Sequence, residues 1–170
     1  VDRATTDKFV LYGVTELDVT DSLLLELGGS YENRDEGAYF NSGLPRYADG
    51  RDLRLPRSTN LSADWSYWDF ETKEVFARAE QRYAGEGALR LNVSRIEQNS
   101  EQRNMFTRGT VDPETGTGVL ARGIGGDFNS VQYLVDVSAS GKFALFGREH
   151  AVPVGTDYAK IDGSGQRAYR

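Results

Sequence analysis

Apolar and polar side chains alternate with period two along much of this chain. The longest run is Val131–Leu145, where the odd positions Val131, Tyr133, Val135, Val137, Ala139, Gly141, Phe143 and Leu145 are all small or apolar. Gln132, Asp136, Ser138, Ser140 and Lys142 between them are hydrophilic, with Leu134 and Ala144 as exceptions. Such a period makes an extended strand with one greasy face and one wet face. Soluble domains use strands of about 5–6 residues, whereas this one holds phase for about 50 Å at roughly 3.3 Å per residue. A long tilted strand with a continuous apolar stripe is what a transmembrane β-barrel needs on its outer surface.

The same reading extends to five further strands. The first is Lys8–Thr20, with Phe9, Leu11, Leu17 and Val19 on one face. A tight turn at Thr20-Asp21 leads to a second, with Leu23, Leu25, Leu27, Gly29 and Tyr31 opposite Ser22, Glu26, Ser30 and Glu32. After a long polar stretch, Arg34–Asp64, a third spans Tyr67–Tyr83 with Val75, Ala77 and Ala79 on one side. A turn at Gly85-Glu86-Gly87 opens a fourth (Leu89, Leu91, Val93), whose pattern is lost at Asn99–Arg103. A polar connection at Asp112–Gly118 precedes the fifth, which is expected to begin near Asp127. The last turn is placed at Gly147-Arg148-Glu149 and the sixth strand at His150–Tyr158, with Val152, Val154 and Tyr158 on one face. Pro153 fits least well, because proline cannot donate to a ladder; either strand six is irregular there or it begins later.

Short turns near residues 21, 85 and 148 therefore alternate with long polar loops. Outer-membrane barrels have this asymmetry between their two rims, whereas a sandwich shows turn signals every 8–12 residues. The expectation is an all-β antiparallel meander of about six long strands, a segment of a transmembrane barrel.

Composition narrows the alternatives. The chain has 170 residues, 38% of them hydrophobic, and no segment approaches the roughly 20 apolar residues of a membrane helix. Nineteen glycines against four prolines, with 9 Tyr, 8 Phe and 2 Trp, favour strands and turns. The absence of cysteine excludes disulfides and thiolate metal sites. A net charge of −6 argues against a nucleic-acid partner. No charged and then apolar leader opens the chain at Val1, so a start inside a longer protein is expected.

Candidate chemistry is sparse. His150 is the single histidine and has no cysteine or second histidine to complete a metal site; no serine lies in a nucleophile-elbow pattern. Gly123-Ile124-Gly125-Gly126 lacks the helix and lysine of a phosphate loop and reads as a flexible strand entry. Asp35-Glu36 reads as solvated loop charge. No catalytic residue, metal site or protein-bound cofactor is expected.

The richest segment is the first long loop. It interleaves Tyr39, Phe40, Tyr47, Trp65, Tyr67, Trp68 and Phe70 with Arg46, Arg51, Arg54 and Arg57. Aromatic and guanidinium groups on a rim bind polar ligands by stacking and charge-assisted hydrogen bonds. The same residues would equally serve as an interfacial girdle or pack among themselves. Tyr47, Arg57, Trp65, Tyr67 and Trp68 are the candidate ligand-contacting residues.

In this loop Gly43-Leu44-Pro45, Tyr47-Ala48-Asp49-Gly50, Leu55-Pro56-Arg57-Ser58-Thr59 and Ala63-Asp64-Trp65 resemble TonB-dependent ferric-siderophore receptors, particularly the ferripyoverdine and hydroxamate type. Tyr12-Gly13-Val14, Gly28-Gly29-Ser30-Tyr31, Phe76-Ala77 and Phe146-Gly147-Arg148-Glu149-His150 follow in the same order, and the likeness covers most of residues 8–158. The resemblance implies part of a 22-stranded barrel whose plug domain and other strands lie outside residues 1–170. It implies a bacterial outer-membrane receptor that binds ferric siderophore and imports it with energy passed from TonB through the plug. Iron would enter only inside the siderophore, and outer-membrane lipid would be the other partner. Lys160–Arg170 would open another extracellular loop.

Two other readings stand beside it. One is a soluble β-sandwich or small barrel that uses the aromatic loop for a glycan or small ligand. The other is an outer-membrane enzyme with Asp35, Glu36, Asp49 and Asp52 as loop carboxylates. The barrel reading requires the stripe of Val131–Leu145 to be uncovered by any opposing sheet or helix.

Overall fold

A computed structural model describes residues 3–38, 43–83 and 87–169. Its elements are β1 (Thr5–Thr20), β2 (Leu23–Gly37), β3 (Tyr67–Tyr83), β4 (Gly87–Arg108), β5 (Leu120–Leu145) and β6 (Arg148–Tyr169). They form a single antiparallel sheet in chain order, and each strand touches only its sequence neighbours. No helix occurs among the described residues. Tyr39, Phe40 and most of the Gly85 turn lie outside them.

Register makes the two faces consistent across the sheet. Leu17 pairs with Leu25, Leu25 with Ala79, Ala79 with Leu91, Leu91 with Val137 and Val137 with Thr156. Neighbours directly across a ladder share a face, so this row and those flanking it make one apolar surface. No second layer among the described residues covers it: Leu27 is 62% exposed, Val75 59% and Val137 37%. Among the described residues the buried apolar side chains are Ala38, Phe76 and Ala88. Exposed apolar surface of this extent marks a membrane or partner surface, and the outside of a transmembrane barrel has such a surface. Tyrosines Tyr31, Tyr133 and Tyr158 edge the surface at one end; the Lys73 ammonium lies 5.9 Å from the Tyr31 ring and the Arg95 guanidinium 5.8 Å from that of Tyr133.

The opposite face is polar. Glu80 accepts from Arg82 and Arg90, both at 2.8 Å, Arg78 reaches Glu26 at 3.2 Å, and Asn92 donates to Asp136 at 3.1 Å. Phe76 is the exception. Its ring lies over Gly28, which faces it directly in register, and the Arg78 guanidinium sits 4.5 Å from the ring centre.

The short turns agree with the sequence except in detail. Thr20 Oγ1 accepts from the Ser22 and Leu23 amides at 3.3 and 3.0 Å, fixing the first hairpin. The last hairpin turns at Phe146-Gly147 rather than at 147–149: Leu145 pairs with Arg148, and both loop residues have positive φ, 52° and 71°. Two left-handed residues give a type I′ turn, whose twist suits a two-residue hairpin.

Three expected boundaries are corrected. β4 continues through Asn99–Arg103 to Arg108, β5 begins at Leu120 instead of near Asp127, and β6 runs to Tyr169, so Lys160–Tyr169 is strand and not loop. Pro153 faces Ser140 without a register shift, so β6 is regular there. Strands of 22 and 26 residues exceed the 9–11 that cross a bilayer, and the surplus projects beyond the apolar surface.

Candidate functional site

The long connections gather at the end of the sheet opposite the tight turns. Residues 43–66 are held by short polar contacts. Asp49 Oδ1 accepts from the Arg51 amide at 3.0 Å and Oδ2 from Arg51 Nε at 2.6 Å, so Arg51 holds the Asp49 carboxyl below the usual carboxylate range. The Arg51 guanidinium then lies 5.3 Å from the Tyr47 ring. Asn60 Nδ2 donates to the Ala38 carbonyl at 3.0 Å, and Arg3 reaches the carbonyls of Asn60 and Ser62 at 3.0 and 3.1 Å. The second connection docks on the first: Ala48 donates to Val111 O, and Val111 to Arg46 O, both at 2.9 Å. Asp112 turns that connection by accepting from the Glu114 and Thr115 amides at 2.8 and 2.9 Å.

On the polar face below these loops, Arg34, Phe70, Glu36 and Trp68 form a cluster. Arg34 pairs with Phe70 and Glu36 with Trp68 across the β2–β3 ladder. The Arg34 guanidinium sits 4.3 Å from the Phe70 ring, whose centre is 4.6 Å from that of Trp68. Arg34 Nε lies 3.5 Å from Glu36. A cation over an aromatic pair, backed by a carboxylate, offers stacking and charge-assisted contacts to a polar ligand.

The five candidate residues do not converge on this point. Trp68 lies in the cluster. Tyr67, one residue earlier, points to the opposite face, where its hydroxyl donates to Glu101 and its pKa is raised by that bond. Trp65 lies beside Glu101 and Arg103 and is 53% exposed. Tyr47 is in the loop, and Arg57 is exposed near its crest. Arg34 was not singled out from sequence; its signal was a cation at the polar phase of β2, directly across from an aromatic.

A row of carboxylates also escaped sequence reasoning. Asp7 pairs with Asp35, Asp35 with Asp69, Asp69 with Glu101 and Glu101 with Asp127. These residues share the face of the apolar surface but lie past its tyrosine edge. Burial, and then Asp35 and Glu101, push the Asp69 carboxyl above its ordinary pKa.

No family model matches the chain. Among characterised proteins it is similar to the ferric-pyoverdine BN7/BN8 receptor of Pseudomonas putida, with 32% identity over 156 residues, 91% of this chain and 19% of that receptor. With the ferripyoverdine receptor of Pseudomonas aeruginosa it shares 27% identity over 150 residues, 86% of this chain and 18% of that receptor. The chain thus spans about a fifth of the length of these relatives. The solved structure of the outer-membrane ferripyoverdine receptor of Pseudomonas aeruginosa bound to ferripyoverdine superposes with a TM-score of 0.82 at 24% identity, over 96% of this chain and 22% of that one; this likeness shows the fold. By sequence and by fold together, the chain matches a six-stranded stretch of barrel in the ferripyoverdine receptors, the outer-membrane family it resembles.

Proposed function

We propose that this chain forms part of the barrel wall and outer loops of an outer-membrane receptor that binds ferric siderophore and imports it, energised through TonB by a plug domain outside residues 1–170. The observation that carries this is the division of the sheet: a continuous uncovered apolar face backs a charged one, with long loops at one rim and tight turns at the other. That division argues against a soluble binding module, whose apolar face would be enclosed. The relatives are receptors by name, which supports a transport role over an enzymatic one. Iron is cargo, carried inside the siderophore, and the chain's own residues do the recognition.

In this reading Trp68, tilted against the Phe70 ring that Arg34 covers, meets ligand on the inner face. Tyr47 and Arg57 form a second contact set on the loop above, and Trp65 and Tyr67 fall on the outer flank. The full-length protein, expressed in a host lacking its own siderophore receptors, is expected to take up iron from at least one ferric pyoverdine in a TonB-dependent manner. Trp68→Ala should reduce uptake about tenfold, corresponding to roughly 1.4 kcal/mol. Absence of uptake across a panel of ferric pyoverdines and hydroxamates, with the protein folded in the outer membrane, overturns the reading.

A further inference from the structure

Past the tyrosine edge, the outward face of β4, β5 and β6 carries two adjoining hollows. The nearer, of about 310 Å³, is lined by Glu97, Asn99, Asn129, Asp162 and Ser164 and begins at Val131, where the apolar phase of β5 ends. The farther, of about 940 Å³, is walled by Trp65, Glu101, Arg103, Asp127 and Gln166. Gly123 and Gly125 line it without side chains, which leaves room between Asp127 and the upper end of β5. Register joins the two: Asn99 faces Asn129 and Glu101 faces Asp127 on one ladder, with Ser164 and Gln166 completing the same rows on β6. The result is one polar trough rising about 26 Å from the edge of the lipid-facing surface, at roughly 3.3 Å per residue from Val131 to Gly123.

We infer that this trough binds a neutral saccharide chain carried by a glycolipid of the surrounding leaflet. The lining supplies what a sugar ring requires. Carboxylates accept from hydroxyls, amides both donate and accept, and Arg103 donates. An exposed indole at Trp65 offers a flat apolar platform for the C–H face of a ring. Glu97, Glu101, Asp127 and Asp162 are offset by Arg103 and Arg167 on the lining and by Arg95 and Lys160, which pair with Glu97 and Asp162, so the trough holds no excess of positive charge for a phosphorylated or carboxylated chain and suits a neutral one. Continuity identifies the source. The trough starts where the apolar surface stops, so a lipid lying against Val131, Tyr133 and Tyr158 delivers its headgroup into the nearer hollow. This site lies on the opposite face from the Trp68 cluster and is independent of siderophore recognition.

The test uses the full-length protein, purified in a sugar-free zwitterionic detergent and returned to phosphatidylethanolamine vesicles with or without digalactosyl diacylglycerol. Neutral glucose-, mannose- and galactose-based hexasaccharides and a phosphorylated hexasaccharide serve as soluble probes, with binding read by calorimetry and saturation-transfer NMR. Neutral sugars are expected to bind, the anchored glycan at least tenfold better than its free headgroup. Asp127→Asn and Gln166→Ala should each weaken binding about tenfold while ferric-siderophore uptake is retained, which shows the variants are folded. Absence of binding, wild-type affinity in both variants, preference for the phosphorylated chain, or no gain from anchoring overturns the inference.

Discussion

Gly28 and Phe76 face each other across β2 and β3, and their fit is tight enough to test. A Cβ at position 28 would lie 2.4 Å from Phe76 Cζ, so Gly28→Ala must displace the ring from beneath Arg78. Overpacking of this kind costs about 1–3 kcal/mol. The expected outcome is a lower thermal midpoint of the folded barrel in detergent, followed by its heat-modifiable gel mobility. Phe146 makes the opposite case. It sits in the left-handed region at φ 52°, 92% exposed, where a bulky residue costs about 1–2 kcal/mol. Phe146→Asn is expected to stabilise the hairpin by about 1 kcal/mol in detergent, and by less in a bilayer, where an aromatic at the interface has lipid to meet. An equal or lower midpoint in detergent would contradict the strain argument.

Among elements, the alternation was legible only where one face is apolar and the other polar. Leu23–Tyr31 and Val131–Leu145 announce themselves as strands because their two faces have different solvents. Beyond the bilayer both faces meet water, so Gln98–Arg103 and Lys160–Tyr169 carry no period although backbone pairing continues unbroken through them. The same loss of contrast hid the Arg34–Phe70–Trp68 cluster, which depends on which residues face each other across β2 and β3. The carboxylate row belongs to these wet extensions. Like charges directly opposite destabilise a ladder by about 0.2–1 kcal/mol per pair, and Asp69 lies between Asp35 and Glu101. Its raised pKa means the folded chain holds that proton more readily than the unfolded one. The destabilisation is complete above the folded pKa and fades as pH falls through it. Asp69→Asn is therefore expected to raise the thermal midpoint at pH 7 and low salt, with the gain shrinking at high salt and vanishing near pH 3. A variant no more stable than the wild type at pH 7 would show the row to be screened already.

At the scale of the whole molecule, the apolar face and the unpaired edges of β1 and β6 set solution behaviour. Residues 1–170 alone, without detergent, are expected to run as aggregates or edge-paired oligomers in gel filtration; a monodisperse monomer would mean that the stripe had found cover.

From β2 to β6 the ladders advance residue for residue with no bulge, the one irregularity being at Asp18/Thr20. Such a sheet has no slack to absorb an error in counting. One codon inserted at Asn92 would turn Val93 onto the polar face and Ser94 onto the apolar one, mispairing β4 with both neighbours at once. Insertions should therefore be lethal to assembly within β2–β5 and harmless near Gly116, which gives deletion and insertion scanning a direct map of where this wall is rigid.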